Sequence, residues 1–170
     1  STLNITVSPA DDLIDVPRRI VVTGAQPGEL VQVASRTVRA GAVWRSSARF
    51  VADTAGHVDL TLAPAVEGDY AGISAMGLLW SQAPEQPGRR ELFHADVLQP
   101  LTTSLEASGA SGKAEAELIQ RLSGDGVTRR EVREQGLVGT LFLPAGPGPH
   151  PAVMILNGSG GGINEPRAAL

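Results

Sequence analysis

Four of the five residues from Gly158 to Gly162 are glycine. They follow an apolar run, "AVMIL" at 152–156, and precede "EPRAAL" at 165–170, which reads as the first turn of a helix. Glycine lets a backbone approach a ligand closely, and successive N–H groups can converge on a negative charge. Three kinds of site use this device. A dinucleotide fingerprint needs a small residue five positions after its first glycine; counted from Gly158 that position is Ile163, so the pattern fails. A triphosphate-binding loop ends in Gly-Lys-Ser/Thr, and the single lysine of the chain is the distant Lys113. The third is an oxyanion loop, whose N–H groups stabilise a carbonyl oxygen while a nucleophile attacks the carbon. "NGSGGG" fits that use. The N–H of Ser159 or Gly160 is the candidate donor, and Gly158, Gly161 and Gly162 give it room. The plain alternative is a flexible turn; the apolar strand-like run before it and the helix start after it favour the oxyanion role.

Such a loop must be aimed by the elements around it. Most of the chain reads as short strands separated by turn residues, a pattern that suggests a β-sandwich. "LNITV" puts Leu3, Ile5 and Val7 on one face. "RRIVVTG" stops at Gly24, "LVQVASRTVR" follows a Pro/Gly turn, "VWRSSARFVAD" is rich in β-formers, and "HVDLTL" alternates. "APEQPGRR" is a loop, "ELFHADVLQP" and "LTTSLEAS" are strands, and "GASGK" is a short flexible stretch. "KAEAELIQRLS" has helical propensity, yet its alternation of Ala114, Ala116 and Leu118 with glutamates predicts a strand. After "SGDGV" come a charged strand, "TRREVRE", an apolar strand, "LVGTLFLP", a proline-rich turn, and "AVMILNG". That last run is the kind found in strands buried on both faces of a parallel sheet. The expected domains are 1–126, a β-sandwich, and 127–170, the start of a second domain.

Composition removes several classes of function. A 42% hydrophobic fraction over 170 residues supports a packed core, and 19% charged residues argues against wholesale disorder. A net charge of -4 with scattered arginines offers no basic patch for nucleic acid. The absence of cysteine excludes disulfides, a Cys zinc site and a Cys nucleophile within this segment. No apolar run is long enough to span a membrane, and the first residues have no signal-peptide pattern. The expectation is a soluble cytoplasmic protein with no cofactor and no metal. His57, His94 and His150 sit in a hairpin, a strand and a proline turn, where structural roles outweigh catalysis. Ser46, Ser47, Ser104 and Ser108 lie outside any Gly-x-Ser-x-Gly context, and Ser159 has Asn157 where a nucleophile elbow needs glycine. Asp11, Asp12 and Asp15 read as a solvated loop rather than a calcium site.

Several segments, taken in order, resemble one family. "DYAGISAMGLLWSQAPEQP" (69–87), "ADTAGHVDL" (52–60), "DVLQPL" (96–101) and the stretch from "VRE" through "VGTLFLPAGPGPHPAVMILNGSGGG" (132–162) are similar to the acyl-CoA thioester hydrolase / bile acid-CoA:amino acid N-acyltransferase family. The resemblance implies an immunoglobulin-like β-sandwich followed by the first strands of an α/β-hydrolase domain. It implies an acyl-CoA substrate and a nucleophile–Asp–His triad, with Ser in the thioesterases and Cys in the conjugating members. In α/β-hydrolases the nucleophile follows strand 5, so the triad is expected beyond Leu170 and no catalytic residue within the chain. The chain alone is expected to be inactive and to need the C-terminal hydrolase segment. Hydrolysis to free acid and CoA is the leading expectation. The alternatives are transfer to an amino acid, or a non-catalytic β-sandwich interaction module, which an exposed apolar "AVMIL" would make prone to aggregation.

Overall fold

The computed structural model describes residues 2–86 and 96–170. The expected strand "ELFHADVLQP", through residue 95, with His94 and the end of the "APEQPGRR" loop, lies outside the described residues. The described elements run β1 (Asn4–Ser8), β2 (Asp11–Leu13), β3 (Arg19–Thr23), β4 (Leu30–Arg39), β5 (Ala42–Val51), β6 (Val58–Asp59), β7 (Glu67–Gly68), α1 (Gly77–Trp80) and β8 (Ala83–Pro84). They continue with β9 (Leu101–Gly109), β10 (Gly112–Arg121), β11 (Thr128–Glu134), β12 (Leu137–Leu143) and α2 (Glu165–Ala169). The chain is mainly β. It divides into two compact units, one holding Leu101–Gln120 with the described residues up to 86, the other Asp96–Pro100 with Arg121–Leu170.

In the first unit a small antiparallel sheet, β1-β3-β6, and a larger one, β2-β10-β9-β4-β5-β7 with β8 on β5, contribute side chains to one core. Period-two alternation decides which residues enter it. Leu3, just before β1, and Ile5 on it are buried and Val7 packs against the cluster, as the pattern predicts. Val31 and Val33 of β4, Ala48 and Phe50 of β5, and Leu105 and Ala107 of β9 face the same interior. β10 is a strand, paired along its length with β9, so cross-strand pairing overrides the helical propensity of "KAEAELIQ". "HVDLTL" is a strand only at Val58–Asp59. Asp59 Oδ1 then accepts from the Thr61 N–H and hydroxyl, and the Asp59 carbonyl accepts from Leu62 and Ala63, which turns the chain. "GASGK" is no loose stretch but a hairpin turn held by Glu29, which accepts from the Ser111 N–H at 2.7 Å, the Ser111 hydroxyl at 2.6 Å and the Gln26 N–H at 2.7 Å.

Two glycines from the resembling segments have a steric reason to be there. Gly56 has φ +76°, and a Cβ on it would lie 2.0 Å from the Ala25 carbonyl oxygen. Asp53 braces that hairpin by accepting from the N–H groups of Ala55 and His57. Gly77 opens α1, and a Cβ there would lie 2.4 Å from the Tyr70 ring. With no side chain at 77, Leu78 and Leu79 enter the core and Trp80 is left outside.

Arg18 is 1% exposed and bonded to six backbone carbonyls. Its Nε donates to Val16, Nη1 to Pro9, Ala10 and Ile119, and Nη2 to Asp12 and Leu13, at 2.8–3.3 Å. The guanidinium therefore ties the 9–16 segment to β10. Burial pulls its pKa down, opposed by the charges of Asp12 and Asp11, and arginine still keeps its proton.

In the second unit the two expected strands, β11 and β12, form an antiparallel hairpin that pairs Thr128 with Leu143 and Glu134 with Leu137. Its buried side chains are Val97, Leu122 and Ala169. The expected buried strand at 152–158 is a correction. These residues have no ladder, and Val153, Met154 and Leu156 are 80–83% exposed. A strand exists through its neighbours' hydrogen bonds, and among the described residues none runs beside this one. No helix among the described residues is long and apolar enough to cross a membrane.

Replacing Arg18 with Met removes the guanidinium donor from six carbonyls, of which those of Ala10 and Leu13 keep a backbone N–H partner, and should lower unfolding free energy by about 3 kcal/mol; chemical denaturation checks this, and a change below about 1 kcal/mol would remove the role given to Arg18. Glu29 and Asp53 supply a second test. Bonds from Ser111 hold Glu29 below its ordinary value of 4.5, and the His57 N–H holds Asp53 below 3.8. The unfolded chain takes up these protons first, so the stabilisation is present above those values and is lost as the pH falls through the lowered ones. Thermal unfolding should therefore be flat near neutrality and fall below about pH 4.5, with Glu29→Gln removing part of that acid sensitivity.

Candidate functional site

The glycine loop is built from one turn and one side-chain brace. Gly161 N–H donates to the Gly158 carbonyl at 3.1 Å, closing a turn with Ser159 and Gly160 at its centre. Neither central residue has positive φ, whereas Gly161 and Gly162, at +67° and +83°, do. The glycines after the turn are thus the ones whose backbone angles side chains resist. Asn157 Nδ2 donates to the Gly161 carbonyl at 2.9 Å and so clamps the loop across its mouth. Among the described residues the N–H groups of Ser159 and Gly160 meet no acceptor. A Cβ added at Gly158, Gly160 or Gly161 would meet nothing within 4 Å, whereas one at Gly162 would meet the Asn157 amide at 3.8 Å.

The chain re-enters helix directly after the loop. α2 starts at Glu165 with Pro166 in its first turn, where a missing N–H is tolerated. Glu165 accepts from Arg129 Nη2 at 2.5 Å and Nε at 3.1 Å, and from the Thr140 hydroxyl at 3.3 Å. The bond to Glu165 raises the Arg129 pKa. The start of α2 is therefore pinned to β11 and β12. That anchoring is absent from the sequence reading; the signal for it is the acidic residue in a first helical turn beside an alternating Arg-rich strand.

The other candidates separate. His57 lies in the Asp53 hairpin and donates its N–H to Asp53. His150 Nε2 lies 3.3 Å from the Gly146 carbonyl in the proline turn. Ser46 is buried, its hydroxyl 2.5 Å from that of Ser81. It belongs to a polar layer in which Gln82 Nε2 donates to Ser35 and Thr37, the Thr37 and Thr103 hydroxyls bond at 2.6 Å, and Ser35 donates to the Leu78 carbonyl. That layer contains neither a base nor a nucleophile aimed at space. Asp12 accepts from the Leu13 N–H, and its carbonyl faces Arg18, so the acidic N-terminal segment is organised around a cation of the chain itself. A groove of about 670 Å³ on the large sheet is lined by Arg36, Arg45, Asp69, Glu106, Glu115 and Glu117 among others. It has charge but no nucleophile–base pair. Among the described residues no cluster of His, Asp and Glu has metal-holding geometry.

Residues 15–134 match the family model described as acyl-CoA thioester hydrolase/BAAT N-terminal region. Human acyl-coenzyme A thioesterase 1 is 41% identical over 163 residues, covering 92% of this chain and 38% of its own length. Human acyl-coenzyme A thioesterase 2, mitochondrial, is 40% identical, with 92% of this chain and 34% of its own length covered. Mouse acyl-coenzyme A thioesterase 1 is 38% identical over the whole chain and 42% of its own length. The chain thus spans less than half the length of these relatives. The solved structure of macromomycin overlaps 69% of this chain and 97% of its own, at 21% identity and a TM-score of 0.36.

Proposed function

Since the chain belongs to the acyl-CoA thioester hydrolase/BAAT family through its N-terminal region, we propose that it is the N-terminal part of an acyl-CoA thioesterase. In this reading the β-rich first unit is an immunoglobulin-like accessory domain. The segment from 127 onward opens an α/β-hydrolase domain whose nucleophile, acid and His lie past residue 170. Residues 152–156, apolar and unpaired here, become a strand of that sheet when neighbours are supplied. Cytoplasmic action belongs to the same proposal, although one relative is named as mitochondrial.

The reaction follows from thioester chemistry. A side-chain nucleophile gives its proton to the base and attacks the acyl carbonyl, the C–S bond breaks, and the base passes that proton to the departing sulfur, so CoA leaves as the thiol. Water then attacks the acyl-enzyme and releases the free acid. Both steps pass through a tetrahedral carbon with a negative oxygen. Backbone amides fixed before the reaction stabilise that oxygen better than they stabilise the ground-state carbonyl. The single observation that carries this assignment is the loop geometry: the amides of Ser159 and Gly160 stand at the centre of a clamped turn with no acceptor among the described residues. The names of the relatives favour hydrolysis over amino-acid transfer. The exposure of Val153, Met154 and Leu156 speaks against a free-standing module.

In the full-length parent, Gly160→Pro removes one candidate N–H donor. Turnover of acyl-CoA should fall about 10²–10³-fold with KM little changed and folding retained. Unchanged turnover in a folded variant would remove the oxyanion assignment.

A further inference from the structure

The segment from 62 to 80 carries an apolar surface that the glycine loop does not explain. Ala65 and Gly72 form an antiparallel bridge, with N–H···O distances of 2.9 and 3.3 Å. Ala65 is buried there. Alternation therefore turns Pro64, Val66, Ala71 and Ile73 to the opposite face, and all four are exposed. Val66 is 56% and Ile73 62% exposed. Trp80, 65% exposed, joins the same surface, because its Nε1 donates at 3.0 Å to the hydroxyl of Ser74, the neighbour of Ile73.

This tryptophan is held in place. Its ring lies 5.8 Å from that of Tyr70, tilted by 55°. The preceding Leu78 and Leu79 are anchored in the core, and the Leu78 carbonyl accepts from the buried Ser35 hydroxyl. Gly77 is what allows α1 to sit this close to Tyr70. The "GLLW" segment therefore has divided duties: glycine for the approach, two leucines for the core, and an indole presented outward in one orientation. A fixed aromatic anchor surrounded by aliphatic residues is what a protein interface uses at its centre, because little side-chain freedom remains to be lost on docking. Tyr70 also keeps a buried hydroxyl with no partner among the described residues.

Three occupants are conceivable: a lipid surface, a second copy, and more of the same polypeptide. Glu67 and Asp69 are exposed within the same segment, and their charge disfavours an anionic membrane. The surface lies inside the region matched as an N-terminal region, in a chain covering 34–42% of its relatives' lengths. We propose that the Trp80–Ile73–Val66 surface is the docking site for the remainder of the parent polypeptide. The inference rests on the reading of the chain as the N-terminal part of a longer enzyme, and it adds the surface through which this domain is attached.

Hydroxyl-radical footprinting read by mass spectrometry tests it, on the 170-residue chain and the full-length parent, each over a range of concentrations, with acyl-CoA hydrolysis measured on the same parent preparation. Trp80 and Ile73 should react about five-fold more slowly in the parent at every concentration, as expected when an exposed anchor becomes interface core. Equal reactivity in the two proteins overturns the docking site, and it does so even if the parent hydrolyses acyl-CoA. Protection in the parent without hydrolysis leaves the docking site standing and removes the thioesterase reading. Protection that appears in the 170-residue chain as its concentration rises assigns the surface to a second copy and overturns the proposal. Protection by anionic vesicles alone overturns it in favour of a lipid surface.

Discussion

Every peptide unit brings a donor and an acceptor that must be satisfied wherever water is excluded, and the architecture of this chain follows from where those groups go. In the first unit the two ladders take most of them, with β4 paired on both sides by β5 and β9. The segment between β1 and β3 cannot be served wholly in that way. Only Asp11–Leu13 forms a strand there, and Arg18 supplies donors to the carbonyls of Pro9 and Ala10 before it, of Asp12 and Leu13 within it and of Val16 after it. One guanidinium does what a longer strand would otherwise do. Because it also reaches the Ile119 carbonyl, it joins residues 101 positions apart in the chain. In the glycine loop the same constraint runs the other way: two amides are left open to solvent, and an amide without an acceptor is one that a ligand oxygen can use.

How legible this was depended on the range of the interaction that decides each element. β1, β4 and β9 follow from alternation, which is local, and β12 from its apolar run. β10 was legible too, since Ala114, Ala116 and Leu118 alternate even though their neighbours favour helix. α1 was not, because four residues are too few to show a helical period, and its cause is Gly77 meeting a ring seven positions away. The early end of the strand at Asp59 depends on an aspartate bonding its own backbone, which a hydrophobic pattern does not register. Glu29 and Ser111 are 82 positions apart, so the turn they stabilise read as flexible. Arg18 was invisible for a further reason: its partners are carbonyls, which every residue has.

The candidate site was legible in part. The glycine spacing excluded two phosphate-binding uses and pointed to a carbonyl oxygen. The turn from Gly158 to Gly161 and the Asn157 bond show how the loop itself is held. What the spacing did not reveal is the anchoring of the helix that follows, where Arg129 and Thr140 converge on Glu165. The apolar run before the loop reads as a buried strand because its composition suits burial, but burial requires partners, and 152–156 has none among the described residues.

The central claim is that the Ser159 or Gly160 amide points at the oxygen of a tetrahedral intermediate. Its most direct test is the amide-proton chemical shift of these two residues in ¹⁵N-labelled full-length parent, before and after an acyl trifluoromethyl ketone forms a tetrahedral adduct with the nucleophile. A short bond to an oxyanion moves one of the two amide protons strongly downfield, and the account requires that shift. If the adduct forms and both resonances stay where they were, the loop does not hold the oxygen.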